Sequence, residues 1–177
     1  MKIKNSVRIP IGFAAGAVFL IRAEPVLWSF VTGLAFMLCG EAVRFVSAGT
    51  LIKYEGVTRS GIYAFTRNPL YIGSFLIGVG ACIMGRDPYF ALFFFLVFPV
   101  VYLRIIKDEE AFLRGRYGGE YERYSREVPR FWSFRLDVGD ALRESSLFLA
   151  VKNGELRAVA GVVLVVVVMV VKMVVKK

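Results

Sequence analysis

Arg67-Asn68-Pro69-Leu70-Tyr71 opens one apolar run, and Glu109-Glu110 closes the next. Forty-two residues separate Arg67 from Glu109. That is about what two membrane-crossing helices and a tight turn require, at ~1.5 Å per residue across a ~30 Å hydrocarbon core. An antiparallel hairpin therefore returns both polar groups to the same membrane face. One pole carries a cation and a helix N-terminus, the other two carboxylates. A zwitterionic small molecule fits between them.

The rest of the chain suits a hairpin in lipid. Hydrophobic residues make up 57% of the 177 positions, and the 21% that are charged sit mostly between apolar runs. This is the layout of an all-α polytopic membrane protein, each span satisfying its own backbone as a helix. Four or five spans use most of the chain, leaving a single membrane-embedded domain over 1–177. The net charge of +9 does not point to nucleic acid, because the basic residues flank spans and interleave with acids; anchoring at the bilayer interface accounts for them. The chain has no histidine, which excludes histidine bases, Ser-His-Asp triads and zinc-histidine sites, and no metal site is expected. Cys39 and Cys82 lie within apolar runs and read as small core residues.

The runs can be placed in order. Ile9 to Ile21 forms a short first span behind Lys2, Lys4 and Arg8. It imitates a secretory signal, but Ile21 fits a cleavage motif poorly, so a retained helix is expected. The second span runs from Pro25 to Val46 and contains Glu41 and Arg44, three apart on one face and able to pair. A polar loop, Ser47 to Thr66, follows. The third span runs from Pro69 to about Met84, with Asn68 as its cap and Pro69 at the first helical position. Arg86-Asp87-Pro88 makes the turn, and Tyr89 to Ile106 is the fourth span. From Lys107 to Glu127 the pattern is that of an interfacial helix broken at Gly118-Gly119, with Pro129 ending it. Arg135 to Arg157 is also expected at the interface, and the valine-rich run Ala158 to Val175 is the fifth span. The Lys and Arg distribution puts the N-terminus, the 47–67 loop and the 107–157 region on the cytoplasmic side. The basic tail, Lys172, Lys176 and Lys177, then lies outside, so either that rule is outvoted here or the last helix does not cross.

Chemistry concentrates where the hairpin closes. The N-terminus of the third span offers free backbone N–H groups, with Arg67 beside it to grip a carboxylate. Tyr71 shares the face of Arg67. Glu109 and Glu110 oppose the macrodipole at the end of the fourth span, a departure from local preference of the kind found at functional sites. They suit an ammonium or a sulfonium. The competing reading is a plain salt bridge between Arg67 and a glutamate across the hairpin.

Taken in order, Gly61-Ile62-Tyr63, Arg67-Asn68-Pro69-Leu70-Tyr71 with Gly73, Gly78-Val79-Gly80, Glu109-Glu110, Tyr117-Gly118, Glu120-Tyr121, Tyr124 and Val128-Pro129 form a series. It resembles the isoprenylcysteine carboxyl methyltransferase and phospholipid N-methyltransferase superfamily of integral-membrane methyltransferases. The match covers a core of about 61–130. The resemblance implies S-adenosylmethionine bound on the cytoplasmic side of the plasma membrane and a lipid-borne or prenylated acceptor arriving from the bilayer. It carries Arg67, Asn68, Pro69, Tyr71, Glu109 and Glu110 over as cofactor contacts, together with Gly78 and Gly80. Gly78 lies nine residues past Pro69, ~14 Å along the helix, so it lines a deeper part of the pocket or only packs. The prenylcysteine enzymes often carry His where this chain has Asn68, which leaves cofactor binding in place and weakens assignment to that branch.

The expected reaction is methyl transfer from the sulfonium, in which the protein supplies proximity, orientation and a shielded site. The leading acceptor is a prenylcysteine carboxylate, which needs no base but does need a cation; Arg130 and Arg104 are the candidates. A phosphatidylethanolamine-type amine is the alternative, with Glu110 able to take its proton. The reading of another class is a non-catalytic membrane protein of the same fold. No oligomeric state follows from the sequence.

Overall fold

The computed structural model describes residues 15–52, 56–131 and 138–176. Among them every regular element is helical: α1 (15–22), α2 (Leu27–Thr50), a 3-10 turn at Gly61–Ala64, α3 (Pro69–Gly85), α4 (Pro88–Tyr117), α5 (Gly119–Glu127), α6 (Val138–Arg143), α7 (Leu147–Lys152) and α8 (Leu156–Val175). Three helices, α2, α4 and α8, are long and apolar enough to cross a membrane, and α3 is a shorter apolar helix. Residues 9–14 of the expected first span, Ile9 to Ile21, fall outside the described residues and its remainder lies in α1; the start of the Arg135–Arg157 stretch also falls outside them.

The centre of the fold is the antiparallel pair α2 and α3, which meet through glycine. A Cβ on Gly33 would lie 2.5 Å from the Gly80 carbonyl oxygen, and one on Gly40 would lie 2.6 Å from that of Gly73. The pairs are reciprocal, and each helix spaces its glycines seven apart, so two turns later the same face meets the same partner. With no hydrophobic force between helices in lipid, close backbone approach supplies much of the packing. Met37 and Met84 fill this seam beside Phe19 and Met169.

Polar contacts fix the ends. Asp87 caps α4 by accepting from Tyr89 N at 2.9 Å, and it also takes the Arg22 guanidinium at 2.5 Å. Pro88 follows at the first helical position, as the turn at Arg86-Asp87-Pro88 requires. Lys172 donates to the carbonyls of Leu20, Ile21 and Ala23 at 2.7–2.8 Å, closing the end of α1. The tail of α8 therefore lies at the α3–α4 turn, away from the opening of α3, and Lys176 pairs with Glu24 at 2.9 Å.

Three expectations change. The second helix ends at Thr50 rather than Val46, four residues deeper into the loop. The fourth span and the interfacial segment form one helix to Tyr117, because nothing in Lys107–Tyr117 breaks it; the break comes at Gly118, with φ 48°. Glu41 and Arg44 do not pair. Arg44 turns to α8 and α3, donating to Glu155 at 2.6 and 3.0 Å and to Ser74 Oγ at 2.6 Å.

Candidate active site

Helix α4, at 30 residues, is ~45 Å long, well beyond a ~30 Å hydrocarbon core. Its Lys107-Asp108-Glu109-Glu110 segment therefore stands where the apolar stretch has ended, level with the opening of α3. Tyr71, in the first turn of α3, donates a 2.7 Å hydrogen bond to Glu109 and packs edge-on against Tyr102 at 5.2 Å. The hairpin closes there, as its spacing predicts.

A second layer comes from α5. The segment before α3 is pinned to the strand of chain after α5: Arg67 N donates to Pro129 O at 3.0 Å, and Thr66 Oγ1 and Asn68 Nδ2 both donate to Arg130 O, at 3.2 and 3.0 Å. Tyr124 donates to the Tyr63 carbonyl at 2.8 Å. The expectation that the Asn68 side chain caps α3 is thus corrected. Its amide faces Arg130, and no side-chain cap closes α3.

Glu110 is held on two sides. Arg130 grips it as a fork, Nε to Oε1 at 2.9 Å and Nη2 to Oε2 at 2.6 Å, while Arg67 Nη1 lies 3.1 Å from Oε1. The hydrogen bond to Glu110 is the main reason the Arg130 guanidinium is held above the usual arginine range. Arg67 Nη1 also reaches Tyr121 Oη at 3.3 Å. Burial raises the phenols of Tyr63, Tyr121 and Tyr124 above their ordinary value, so all three remain neutral.

These residues enclose a cavity of about 300 Å³, the size at which small-ligand sites begin. Arg67, Asn68, Pro69 and Tyr71 line it with Glu109 and Glu110, under walls of Tyr63, Tyr117, Tyr121 and Tyr124. Two features suit a zwitterion. Arg67 Nε is buried without a hydrogen-bond partner, and Glu109 has no ion-pair partner among the described residues. A carboxylate could use the first, and an ammonium or sulfonium the second, with aromatic faces favouring the cation. The residues present therefore fit such a cofactor.

Three of the sequence-predicted residues stand apart. A Cβ on Gly78 would meet the Phe94 ring, and Gly80 faces Gly33 and Met37 of α2, so both glycines pack helices and neither lines the cavity. Arg104 is exposed and off the lining. Arg130 touches the site through Glu110. Sequence reasoning did not place Leu51, Ile52 or Val57–Thr58, which form one wall; they lie in a loop with no periodicity to read. The four wall tyrosines did stand in the ordered series, and three of them, Tyr117, Tyr121 and Tyr124, are spaced three or four residues apart.

Comparison with known proteins bears on this geometry. A family model described as phospholipid methyltransferase matches residues 26–120, more than half of the chain. The chain belongs to the phospholipid methyltransferase family. Among relatives, the protein-S-isoprenylcysteine O-methyltransferase of Schizosaccharomyces pombe is 27% identical over 133 residues, covering 72% of this chain and 56% of that protein. The Homo sapiens protein of the same name is 26% identical over 129 residues, 66% of this chain and 45% of its own. Protein-S-isoprenylcysteine O-methyltransferase B of Arabidopsis thaliana is 28% identical over 129 residues, 66% of each. The chain spans about half the length of the first two. No solved structure matches. The family match ends two residues after the break at Gly118, so Tyr121, Tyr124, Arg130 and all of α6–α8 lie beyond it.

Proposed function

We propose that this family member is an S-adenosylmethionine-dependent methyltransferase of the plasma membrane, its cavity facing the cytoplasm and its acceptor carried by a lipid. The observation that carries the reading is the pairing of a buried, unpartnered Arg67 Nε with an unneutralised Glu109 across one tyrosine-walled cavity. S-adenosylmethionine supplies an electrophilic methyl group on a sulfonium. Arg67 holds its carboxylate, Glu109 and the tyrosine faces hold its cationic end, and the Arg130–Glu110 fork keeps Arg67 aimed at the cavity. Asn68, Pro69 and Tyr71 shape the floor. Water exclusion and orientation then provide the rate enhancement.

The names of the relatives favour a prenylcysteine carboxylate as acceptor. One observation favours the second reading, a phospholipid amine. Arg130 is committed to Glu110, Arg104 is off the lining, and Arg67 is engaged by Glu110 and by the cofactor's carboxylate, so no arginine of the lining is left for an acceptor carboxylate, whereas Glu109 can take a proton from an amine.

The test is saturable binding of S-adenosylmethionine to purified protein, followed by transfer of a labelled methyl group to farnesylcysteine or phosphatidylethanolamine. Failure to bind at millimolar cofactor would remove the enzyme reading. Label released by base identifies an ester and label retained identifies an N-methyl group.

A further inference from the structure

Behind the cavity, α2 carries two charged residues where α8 packs against it, and Glu155, the N-cap of α8, is a third. Arg44 is only 21% exposed and Glu155 only 4%. Their ion pair is a fork, with Ser74 of α3 taking the remaining Nη1. Glu41, one turn before Arg44 on the same face of α2, has both carboxylate oxygens buried and no hydrogen-bond partner. Two carboxylates thus stand near one guanidinium, and one of them is left over. Burying a carboxylate without a partner is costly, and lipid-embedded carboxylates are commonly functional.

The architecture of α8 gives the spare carboxylate a use. Among its described residues α8 buries only Met169. Its far end is held by the three Lys172 bonds to the end of α1. Its near end is held by Glu155 and by Asn153, which donates to the carbonyls of Ala48 and Leu51 at 2.8 and 2.9 Å. Leu51 is part of the cavity wall, and Ser74 accepts from Arg44 while donating to Leu70, which lines the cavity floor. Gly154, with φ 90° and nothing within 4 Å of a Cβ position, joins the two anchors.

We propose that Arg44 exchanges Glu155 for Glu41, so that the near end of α8 swings away about its Lys172 anchor and opens a lateral route from the bilayer to the cavity for the lipid-borne acceptor. Without Glu41, releasing Glu155 would strand a buried guanidinium, at a cost that holds the gate shut. With it, Arg44 keeps a partner in both positions, which is what a two-state element needs. Release of Asn153 at the same time frees the Leu51 wall. The route matters only if the chain methylates a lipid, so this part rests on the function proposed above; the exchange itself does not.

The experiment reads the two parts separately. Spin labels at Leu103→Cys on α4 and Ala160→Cys on the near half of α8, both exposed and far from the Lys172 pivot, are placed in the full chain with Cys39→Ser and Cys82→Ala. Two distance populations are expected in nanodiscs. Glu41→Gln should collapse them to the shorter one, and Glu155→Gln should shift them to the longer one while the protein stays folded. In unlabelled protein Glu41→Gln should lower acceptor kcat/KM about tenfold with S-adenosylmethionine Kd unchanged. One population insensitive to both substitutions would overturn the exchange, as would a Glu155→Gln protein that unfolds, since Glu41 would then be no substitute. Absent cofactor binding in the parent would overturn the enzyme reading and leave the distances to decide the exchange.

Discussion

Arg130 and Glu110, twenty residues apart, meet as a fork with contacts of 2.6 and 2.9 Å, and Arg67 takes the same carboxylate from the other side. Glu110 is therefore the fixed point that orients both arginines. Glu110→Gln should lower unfolding free energy by about 1–3 kcal/mol, below the ~3–5 for a fully buried pair because Arg130 is 39% exposed. S-adenosylmethionine affinity should fall at least tenfold. Calorimetric titration beside detergent melting separates the two losses; unchanged affinity would count against Glu110 as the organiser.

Tyr71 and Glu109 form a simpler link. Tyr71→Phe removes one 2.7 Å hydrogen bond and leaves the ring against Tyr102. The expected cost is ~1 kcal/mol, about fivefold in cofactor Kd. Glu109→Gln removes the charge as well and should weaken binding more. Equal effects from the two would indicate that the carboxylate's charge plays no part.

The glycines differ in kind. Gly80→Ala sets a Cβ against the Gly33 backbone oxygen at 2.6 Å, and backbone cannot step aside. Overpacking of this sort costs ~1–3 kcal/mol or more. Gly78→Ala meets the Phe94 ring, a side-chain end that can shift where backbone cannot. Melting temperature should drop clearly for the first and little for the second, with cofactor Kd unaffected by the second. A large Kd change in Gly78→Ala would put that glycine back in the binding site.

Arg104 and Arg130 make a similar contrast. Arg104→Ala should stay within about 0.5 kcal/mol of the parent in stability and leave cofactor binding alone. Arg130→Ala frees Glu110 from its fork and should weaken cofactor binding. If Arg104→Ala abolishes methyl transfer while Arg130→Ala does not, the assignment of these two is reversed.

Alkaline titration reports on the tyrosine wall. The folded phenols of Tyr63, Tyr121 and Tyr124 are raised mainly by burial, whereas an unfolded tyrosine titrates at ~10. Above that pH the unfolded chain has lost protons that the folded chain keeps, so stability falls as pH rises. Below it both states are protonated and these groups contribute no slope. Phenolate absorbance should show Tyr63, Tyr121 and Tyr124 ionising at higher pH than the exposed tyrosines; ionisation of all eight near pH ~10 in folded protein would contradict the buried wall.

Much of this was legible because it is local. Apolar length and turn residues set α3 and α4, and Pro69, Pro88 and Gly118 mark boundaries that the structure keeps. Tyr71 and Glu109 could be matched across the hairpin because two antiparallel helices of similar length leave one register. The partners of Arg44 and Asn68 were not legible. Arg44 prefers Glu155, 111 residues away, to Glu41 three residues away, because helix rotation against α8 decides which carboxylate reaches it. Asn68 faces Arg130 because Pro129 brings the chain back under α3.

By itself, then, the sequence determined an all-helical membrane chain with one charged hairpin mouth and the residue types of a zwitterion site. Span length, capping and charge placement depend on neighbours within a few residues. Only the tertiary structure decided that Gly78 and Gly80 pack helices, that Arg130 serves Glu110, and that Glu41 is left unpaired beside a guanidinium already taken. Each depends on how helices far apart in the chain rotate and approach, and the short-range pattern does not encode that.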